Sequence, residues 1–171
     1  MRSLIALIAL VALPVMANEP ASDPTLYGRY EYVAVPQVGQ TFKAKMDTGA
    51  MTSSLSAKDI ERFKRDGDDW VRFRLATKDA DPTLFEQPLT RVALIKNRAE
   101  EGDEPNSSPT MAERPVIDME ICVGNESRTI EVNLADRSHF DYPLLIGAAA
   151  MRKLGAAVNP AQRYTAERPE C

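Results

Sequence analysis

The sequence feature that most constrains the fold is a triplet that closes an alternating segment. Residues 42–46 alternate apolar and polar side chains, as a half-buried strand does, and Asp47-Thr48-Gly49 follows directly. A glycine two residues after an aspartate lets the backbone turn sharply and approach another chain closely. The threonine hydroxyl can donate and accept hydrogen bonds that fix such a loop. The triplet therefore predicts a carboxylate held still at the end of a strand.

One fixed aspartate needs a partner before it can perform acid–base chemistry. Two carboxylates that share a proton shift each other's pKa and together activate water, which is the chemistry of aspartic peptidases. Other aspartates in candidate positions, Asp118, Asp136 and Asp141, are not followed by Thr-Gly or Ser-Gly, and no internal duplication is visible. The residues therefore predict a twofold homodimer that places Asp47 beside Asp47 of a second copy. The alternative is that the triplet is only a turn.

A second segment, residues 142–155, strengthens the first interpretation. Leu144, Leu145 and Ile146 form an apolar run typical of a strand covered on both faces, and Gly147 allows close passage beside another backbone. The residues that follow, 148–154, favour a short helix, which Gly155 would end.

Together the two segments resemble the retropepsin-like aspartic peptidases, in particular a bacterial family that carries the label ATP-dependent zinc protease. The resemblance covers residues 28–160 and includes Arg114-Pro115-Val116, residues 132–137 and residues 142–147. It implies a mainly β, retropepsin-like closed β-fold, the counterpart of one acid-protease half, with one short C-terminal helix. It also implies a homodimer that acts on a peptide or protein substrate. By this resemblance the catalytic residue is Asp47, the active-site loop is Thr48, Gly49 and Ala50, and the supporting strand contains Leu145, Ile146 and Gly147.

The chain departs from the pattern of that family at three places. Met51 stands where members often carry a basic residue, and Ser56-Ala57 stands where they often carry His-Ala. Ala148 replaces an arginine that commonly forms an ion pair near the dimer contact. The departures at Met51 and Ala148 keep a second function class open, a non-catalytic module that binds an extended peptide between its strands.

The zinc and the ATP of the family label find little support in the residues. The chain has one histidine, His139, and two cysteines, whereas a tetrahedral zinc site needs three or four ligands. A loop cluster of Asp136, His139 and Asp141 is the alternative metal site. No phosphate-binding glycine loop is present. We therefore predict no metal site and no cofactor.

The first 17 residues predict export. Arg2 is followed by an uncharged, mostly apolar stretch and by Val15-Met16-Ala17, a small-residue cleavage pattern. The apolar stretch is shorter than the roughly 20 residues that span a bilayer. We expect residues 1–17 to be a signal peptide, and the mature protein to be periplasmic or secreted with no stable membrane anchor.

Cleavage would remove one arginine and no acidic residue, so the formal net charge of −4 would become −5. Nucleic acid is therefore not an expected partner. An oxidising compartment permits Cys122 and Cys171 to pair, but Cys171 ends a predicted mobile tail, residues 161–171. We expect a buried Cys122 and a Cys171 that is free or reacts with another molecule.

The mature chain is long enough for one core and predicts one domain after an N-terminal linker, residues 18–27. Alternation predicts a hairpin over residues 30–46, a strand over 70–75 and a second hairpin over 116–134. Ile60 and Phe63 predict a short helix over residues 57–65. Residues 96–114 include an acidic tract without apolar side chains, which predicts a flexible insertion or, alternatively, a flap over the cleft.

Overall fold

A computed structural model of the protein describes residues 23–78, 82–96 and 111–171. Besides a 3-10 turn (Pro36–Val38), the described part contains these strands and one α-helix: β1 (Thr25–Gly28), β2 (Tyr30–Val35), β3 (Gln40–Asp47), β4 (Ser53–Arg65), β5 (Asp68–Leu75), β6 (Phe85–Pro88), β7 (Arg91–Lys96), β8 (Met111–Val123), β9 (Glu126–Ala135), β10 (Leu144–Gly147), α1 (Ala148–Lys153) and β11 (Ala156–Asn159). Across these ranges we find no helix of the length and apolarity that crossing a membrane requires. The predicted signal peptide, residues 1–17, lies outside the described residues.

The central strands close into a ring, which confirms the predicted closed, mainly β fold. Strand β10 pairs in parallel with β3 and antiparallel with β4. From β3 the pairing continues through β2, β8 and β9 and returns to β4. Alternating side chains of these strands fill one apolar core, in which Val33, Leu55, Ile117 and Ile146 are fully buried. Closing the sheet on itself leaves these strands without open edges.

Both predicted hairpins are present and turn at glycine. Strands β2 and β3 pair from Tyr30 opposite Lys45 to Val35 opposite Gln40, with Gly39 in the left-handed conformation at φ 62°. Strands β8 and β9 pair up to Val123 opposite Glu126, and Gly124 has φ 59°. Only glycine adopts such angles without a steric penalty, so the sequence marks these turns directly.

The helix predicted over residues 57–65 is wrong, because these residues continue strand β4. They pair with β5 from Ala57 opposite Leu75 to Arg65 opposite Asp68, and the register shifts between Lys58 and Glu61. Asp59, inside this bulge, has φ 52°. An extra residue in one strand interrupts the two-residue alternation. The apolar residues here therefore stand three apart, as they would on a helix.

The expectation of a free Cys171 on a mobile tail is also wrong. Cys122 and Cys171 form a disulfide with a Cα–Cα distance of 5.9 Å, and the described residues contain no free cysteine. Residues 160–171, which we call the C-terminal strap, run back over the body of the protein. Tyr164 donates a backbone hydrogen bond to the Tyr30 carbonyl at 2.7 Å. The sequence-based expectation treated the chain end as unpacked, whereas tertiary contacts hold it.

A buried carboxylate anchors the middle of the C-terminal strap. Glu31 is fully buried and accepts hydrogen bonds from the backbone N–H groups of Gly28, Thr165 and Ala166. The Thr165 hydroxyl donates a further bond at 2.6 Å. A Cβ atom on Gly28 would lie 2.7 Å from the Cα of Arg163, so glycine is needed where the strap crosses β1. Several donors thus replace the water that a buried carboxylate loses.

Strands occupy the described ends of the segments predicted as linker and insertion. Residues 25–28 form strand β1, which pairs in parallel with β11 from Thr25 opposite Ala156 to Gly28 opposite Asn159. Lys96 belongs to β7, and residues 111–114 belong to β8, with Lys96 opposite Met111. The rest of the predicted flap, residues 97–110, lies outside the described residues.

Candidate active site

Asp47 is the last residue of β3, and its own loop fixes its carboxylate. The Gly49 N–H donates to Asp47 Oδ1 at 3.0 Å, and the Ala50 N–H donates to the Asp47 carbonyl at 3.3 Å. Thr48 and Gly49 are exposed at the tip of the loop. The short turn therefore orients one carboxylate oxygen before any other element contributes, as the triplet predicts.

Strand β10 supports this loop by pairing with both β3 and β4, the strands on either side of it. Its residues pair with β3 so that Leu145 lies opposite Lys45 and Gly147 lies opposite Asp47. On the other side of β10, Leu144 lies opposite Leu55 of β4. The two strands that flank the loop are thus held apart by a third strand, whose residues 144–147 are all buried. The structure brings together all the residues predicted for the loop and the supporting strand.

Gly147 is required by space and not by its backbone angles. A Cβ atom there would lie 2.7 Å from the Met51 carbonyl oxygen and 2.7 Å from the Thr52 carbonyl carbon. Immediately after it, the N–H groups of Ala148 and Ala149 donate to the carbonyls of Ala50 and Met51, at 2.7 and 3.0 Å. The first residues of α1 thus fix the backbone of the loop at Ala50 and Met51.

A buried polar network under the loop was missed by sequence reasoning. The Ser53 hydroxyl accepts a bond from the Gly147 N–H at 3.1 Å. Asn133 donates to the Ser53 carbonyl at 2.9 Å and accepts from the Ser54 hydroxyl at 3.0 Å. All three side chains are nearly fully buried. The available signal was Asn133 itself, a polar residue between the apolar Val132 and Leu134, because buried polar groups in a strand need partners.

The second oxygen of the Asp47 carboxylate is bound by a lysine. Lys45 Nζ lies 2.9 Å from Asp47 Oδ2, and the Asp47 side chain is 22% exposed. Burial is the largest single effect on the pKa of Asp47 and acts to raise it. Hydrogen bonds from Lys45 and Gly49, together with the charge of Lys45, outweigh burial and hold this pKa below its usual value.

Arg137 adds a second cation near Asp47. Its Nε is buried and makes no hydrogen bond to the described residues, while its guanidinium lies 4.5 Å from the centre of the Phe140 ring. Burial lowers the pKa of Arg137, and the charge of Arg114 lowers it further, whereas the Asp47 carboxylate raises it. Two basic residues from different elements, Lys45 and Arg137, therefore act on this carboxylate.

The alternative metal site of Asp136, His139 and Asp141 does not assemble. Asp136 accepts a bond from the Ser138 N–H at 2.9 Å, and the His139 ring contacts Phe140. Within residues 23–78, 82–96 and 111–171, no three His, Cys, Asp or Glu side chains are grouped as metal ligands would be. This loop therefore offers no described ligand set for zinc.

The closed ring, the Asp-Thr-Gly loop and the glycine strand that supports it define a retropepsin-like fold. A family model described as "Retropepsin-like aspartic endopeptidase RimB" matches residues 26–169, and the chain belongs to this RimB-like family. The match confirms the retropepsin-like resemblance and extends past both ends of the predicted domain, residues 28–160. The description carries neither zinc nor ATP, so the finer label expected from the sequence is not supported.

The chain is also similar to curated proteins of another name and to a solved structure. Proteins named "Probable alpha-L-glutamate ligase" from Shewanella halifaxensis and Desulfotalea psychrophila are both 30% identical to the chain, over 81% and 74% of its length. The matched regions are 29% and 26% of those proteins, so the chain spans less than a third of their length. A crystal structure of a protein of unknown function from Legionella pneumophila is 34% identical, with a TM-score of 0.66. The structural match covers 82% of this chain and 96% of the Legionella protein.

Proposed function

We propose that this protein is an aspartic endopeptidase whose reaction centre is a pair of Asp47 carboxylates from two copies of the chain. The observation that carries the proposal is the Asp47 carboxylate itself, oriented by the Gly49 N–H and accessible on a loop that β10 supports. A static, partly exposed carboxylate is what a proton-sharing pair requires.

In the proposed reaction the ionised Asp47 takes a proton from water while the protonated Asp47 of the second copy polarises the scissile carbonyl. The water oxygen bonds to the carbonyl carbon and forms a tetrahedral intermediate. Proton transfer to the nitrogen and cleavage of the carbon–nitrogen bond then release the two peptide products.

We assign the second carboxylate to another copy because the described part of this chain places no second carboxylate beside Asp47. The sequence has one Asp-Thr-Gly triplet. Among the described residues, the groups that shift the pKa of Asp47 are Lys45, Gly49 and Ala50, with no carboxylate among them. Thr48 is exposed at the loop tip and Met51 is 62% exposed, which leaves this face accessible to a second copy. An isologous contact there would bring the two Asp47 residues together.

The charges around Asp47 favour an acidic peptide as substrate. Lys45 forms an ion pair with the carboxylate and the charge of Arg137 also acts on it, although the whole chain is acidic. Arg114 lines a cleft of ≈ 360 Å³ beside β4, β7 and β8, together with Arg62, one carboxylate, Glu113, and the apolar residues Ile60, Val92 and Leu134. The relatives named as glutamate ligases agree with a glutamate-containing substrate. Cations in a cleft raise the local concentration of an anionic ligand.

Cleavage of glutamate-rich peptides by the wild-type protein and by Asp47→Asn tests the proposal. The amide has nearly the shape of the carboxylate but cannot share the proton, so we expect hydrolysis to fall at least about a thousandfold with the fold unchanged. Mass spectrometry of the products would show internal cleavage. Undiminished cleavage by the variant would show that Asp47 is not the catalytic residue. Tight binding of peptides by a wild-type protein that never cleaves them would instead favour the peptide-binding module.

We also propose that the protein acts after export, with residues 1–17 removed. The disulfide between Cys122 and Cys171 supports this, because such bonds persist in oxidising compartments. N-terminal sequencing of the protein from the cell envelope fraction should begin at Asn18. An unprocessed cytoplasmic product with both thiols reduced would contradict the proposal.

A further inference from the structure

Lys45 contacts the carboxylate on which the proposed reaction depends. The two residues are two apart on β3, so their side chains emerge on the same face. Their charged atoms are 2.9 Å apart, and the Lys45 side chain is 47% exposed. Lys43 stands one strand period earlier on that face and is also exposed, yet it makes no ion pair with the described residues. Of these two lysines on the same face of β3, Lys45 is therefore the one that contacts Asp47.

This contact opposes the reaction in one respect. A proton-sharing pair needs one carboxyl to be protonated, whereas an ammonium group within hydrogen-bond distance favours the ionised form. In the proposed dimer each Asp47 would bring its own Lys45, so two ammonium groups would face two carboxylates. Their charges would ease the approach of the two carboxylates but disfavour the shared proton. Catalysis therefore requires that at least one Lys45 leaves its carboxylate.

The other charged groups near Asp47 do not take the place of Lys45. Arg137, from the segment after β9, attracts Asp47 but makes no hydrogen bond to it, and Arg114 of β8 faces Arg137. Strand β10 contributes no charged residue, and Arg152 of α1 contacts the Met51 sulfur at 3.6 Å. Among the described side chains, Lys45 is thus the direct hydrogen-bond donor to the carboxylate. Its half-exposed position leaves room for it to turn toward a ligand.

We propose that Lys45 is a specificity-determining residue that neutralises Asp47 in the empty site and transfers its ion pair to an acidic side chain of the bound peptide. This inference rests on the proposed peptidase function and goes beyond it. An acidic residue beside the scissile bond would compete for the ammonium group and release Asp47 to share its proton. Acidic substrates would then be turned over faster, and not only bound more tightly, because their side chain creates the reactive state of the site.

The first test measures the carboxylate and does not depend on peptidase activity. Carbon-13 NMR of the disulfide-intact protein would follow the Asp47 carboxyl signal against pH, with Asp47→Asn to assign it. We expect Lys45→Met to raise the apparent pKa of Asp47, because the variant loses the hydrogen bond and the charge that lower it. Lys43→Met, the matched control, should leave it unchanged. Equal pKa values in wild type and Lys45→Met would overturn the inference, even if the enzyme cleaves peptides.

The second test compares two peptides that differ by Glu or Gln next to the cleaved bond. For the wild type we expect kcat to be about tenfold higher with Glu, the size of one partly desolvated ion pair. Lys45→Met should bring this ratio close to one and move the acidic limb of the pH–rate profile upward, whereas Lys43→Met should keep the wild-type ratio. Lys45→Arg should retain the Glu preference.

The outcomes of this kinetic test separate the two proposals. A Glu preference that persists in Lys45→Met, or that appears only in KM, would contradict the role of Lys45. If the wild type cleaves neither peptide, the proposed function fails while the NMR titration still reports on the ion pair. Thermal unfolding of each variant identifies any loss of activity that follows from unfolding.

Discussion

At the scale of single residues, Gly147 holds the closest contact beneath the Asp47 loop. Gly147 lies opposite Asp47 in the register of β10 and β3, and the loop backbone at Met51 and Thr52 occupies the space where its side chain would be. On the next turn of α1, Arg152 reaches Met51, four residues beyond Ala148. Positions four apart on a helix share a face. Arg152 therefore lies on the face of α1 where the family pattern has an arginine at position 148.

Gly147→Ala should destabilise the protein by about 1–3 kcal/mol, because the added methyl group must displace the backbone of the active-site loop. Urea unfolding would measure this. Cleavage should fall together with stability, since the same loop carries Asp47. The control is Gly155→Asn, at φ 58° with nothing within 4 Å of the added Cβ, an angle that asparagine tolerates. A Gly147→Ala protein as stable as this control would show that the loop adapts.

At the scale of elements, the C-terminal strap is the feature that joins distant parts of the chain. Its Tyr164 ring stacks on Tyr32 of β2 at 4.6 Å, and Arg168 lies 3.5 Å from the centre of the same Tyr32 ring. Tyr30, also of β2, stacks at 4.1 Å on Tyr142, which precedes the supporting strand β10. The strap, strand β2 and Tyr142 therefore pack against one another, and the disulfide at Cys171 fixes the end of the strap.

Cys171→Ser should lower the free energy of unfolding by about 2–4 kcal/mol, because the disulfide restricts the unfolded chain between residues separated by 49 positions. Denaturant titration under oxidising conditions would measure the loss. Reduced wild-type protein is the matched control and should unfold at the same denaturant concentration as the variant. If reduction and substitution both leave stability unchanged, the contacts of Glu31 are enough to hold the strap.

At the scale of the whole molecule, each copy offers a complete closed ring but only half of the proposed reaction centre. Asp47 is fixed within its own chain, so in the proposed mechanism assembly supplies the second carboxylate and does not build the first. Stability and activity should therefore respond differently to protein concentration. A property that needs two copies depends on concentration, whereas the fold of one copy does not.

Specific cleavage activity should fall as the protein is diluted, and the midpoint of this fall should match the dimer dissociation constant from sedimentation. Circular dichroism at the same concentrations serves as the control and should keep its folded signal. Constant specific activity in samples that sediment entirely as monomer would rule out a reaction centre shared between two copies.

The sequence by itself determined the local parts of this protein. The two glycine-turned hairpins, the Asp-Thr-Gly loop at the end of β3, the apolar strand 144–147 and the short helix after it follow from periodicity and from residue types near one another in the chain. The spacing of Lys45 and Asp47 on one strand face was also visible, although their ion pair was not predicted. The parallel pairing of β10 with β3 joins residues 100 positions apart at Gly147 and Asp47, and no local pattern specifies it.

Only the tertiary structure decided the rest. In β4, the three-residue spacing of apolar side chains wrongly predicted a helix. The bulge that produces this spacing depends on the register with β5. The disulfide depends on the path of residues 160–171 across β2, which Glu31 and the crossing at Gly28 direct. The network of Ser53, Ser54 and Asn133 joins residues about 80 positions apart. In each case the deciding energy comes from contacts between distant segments, which the chain's local preferences do not contain.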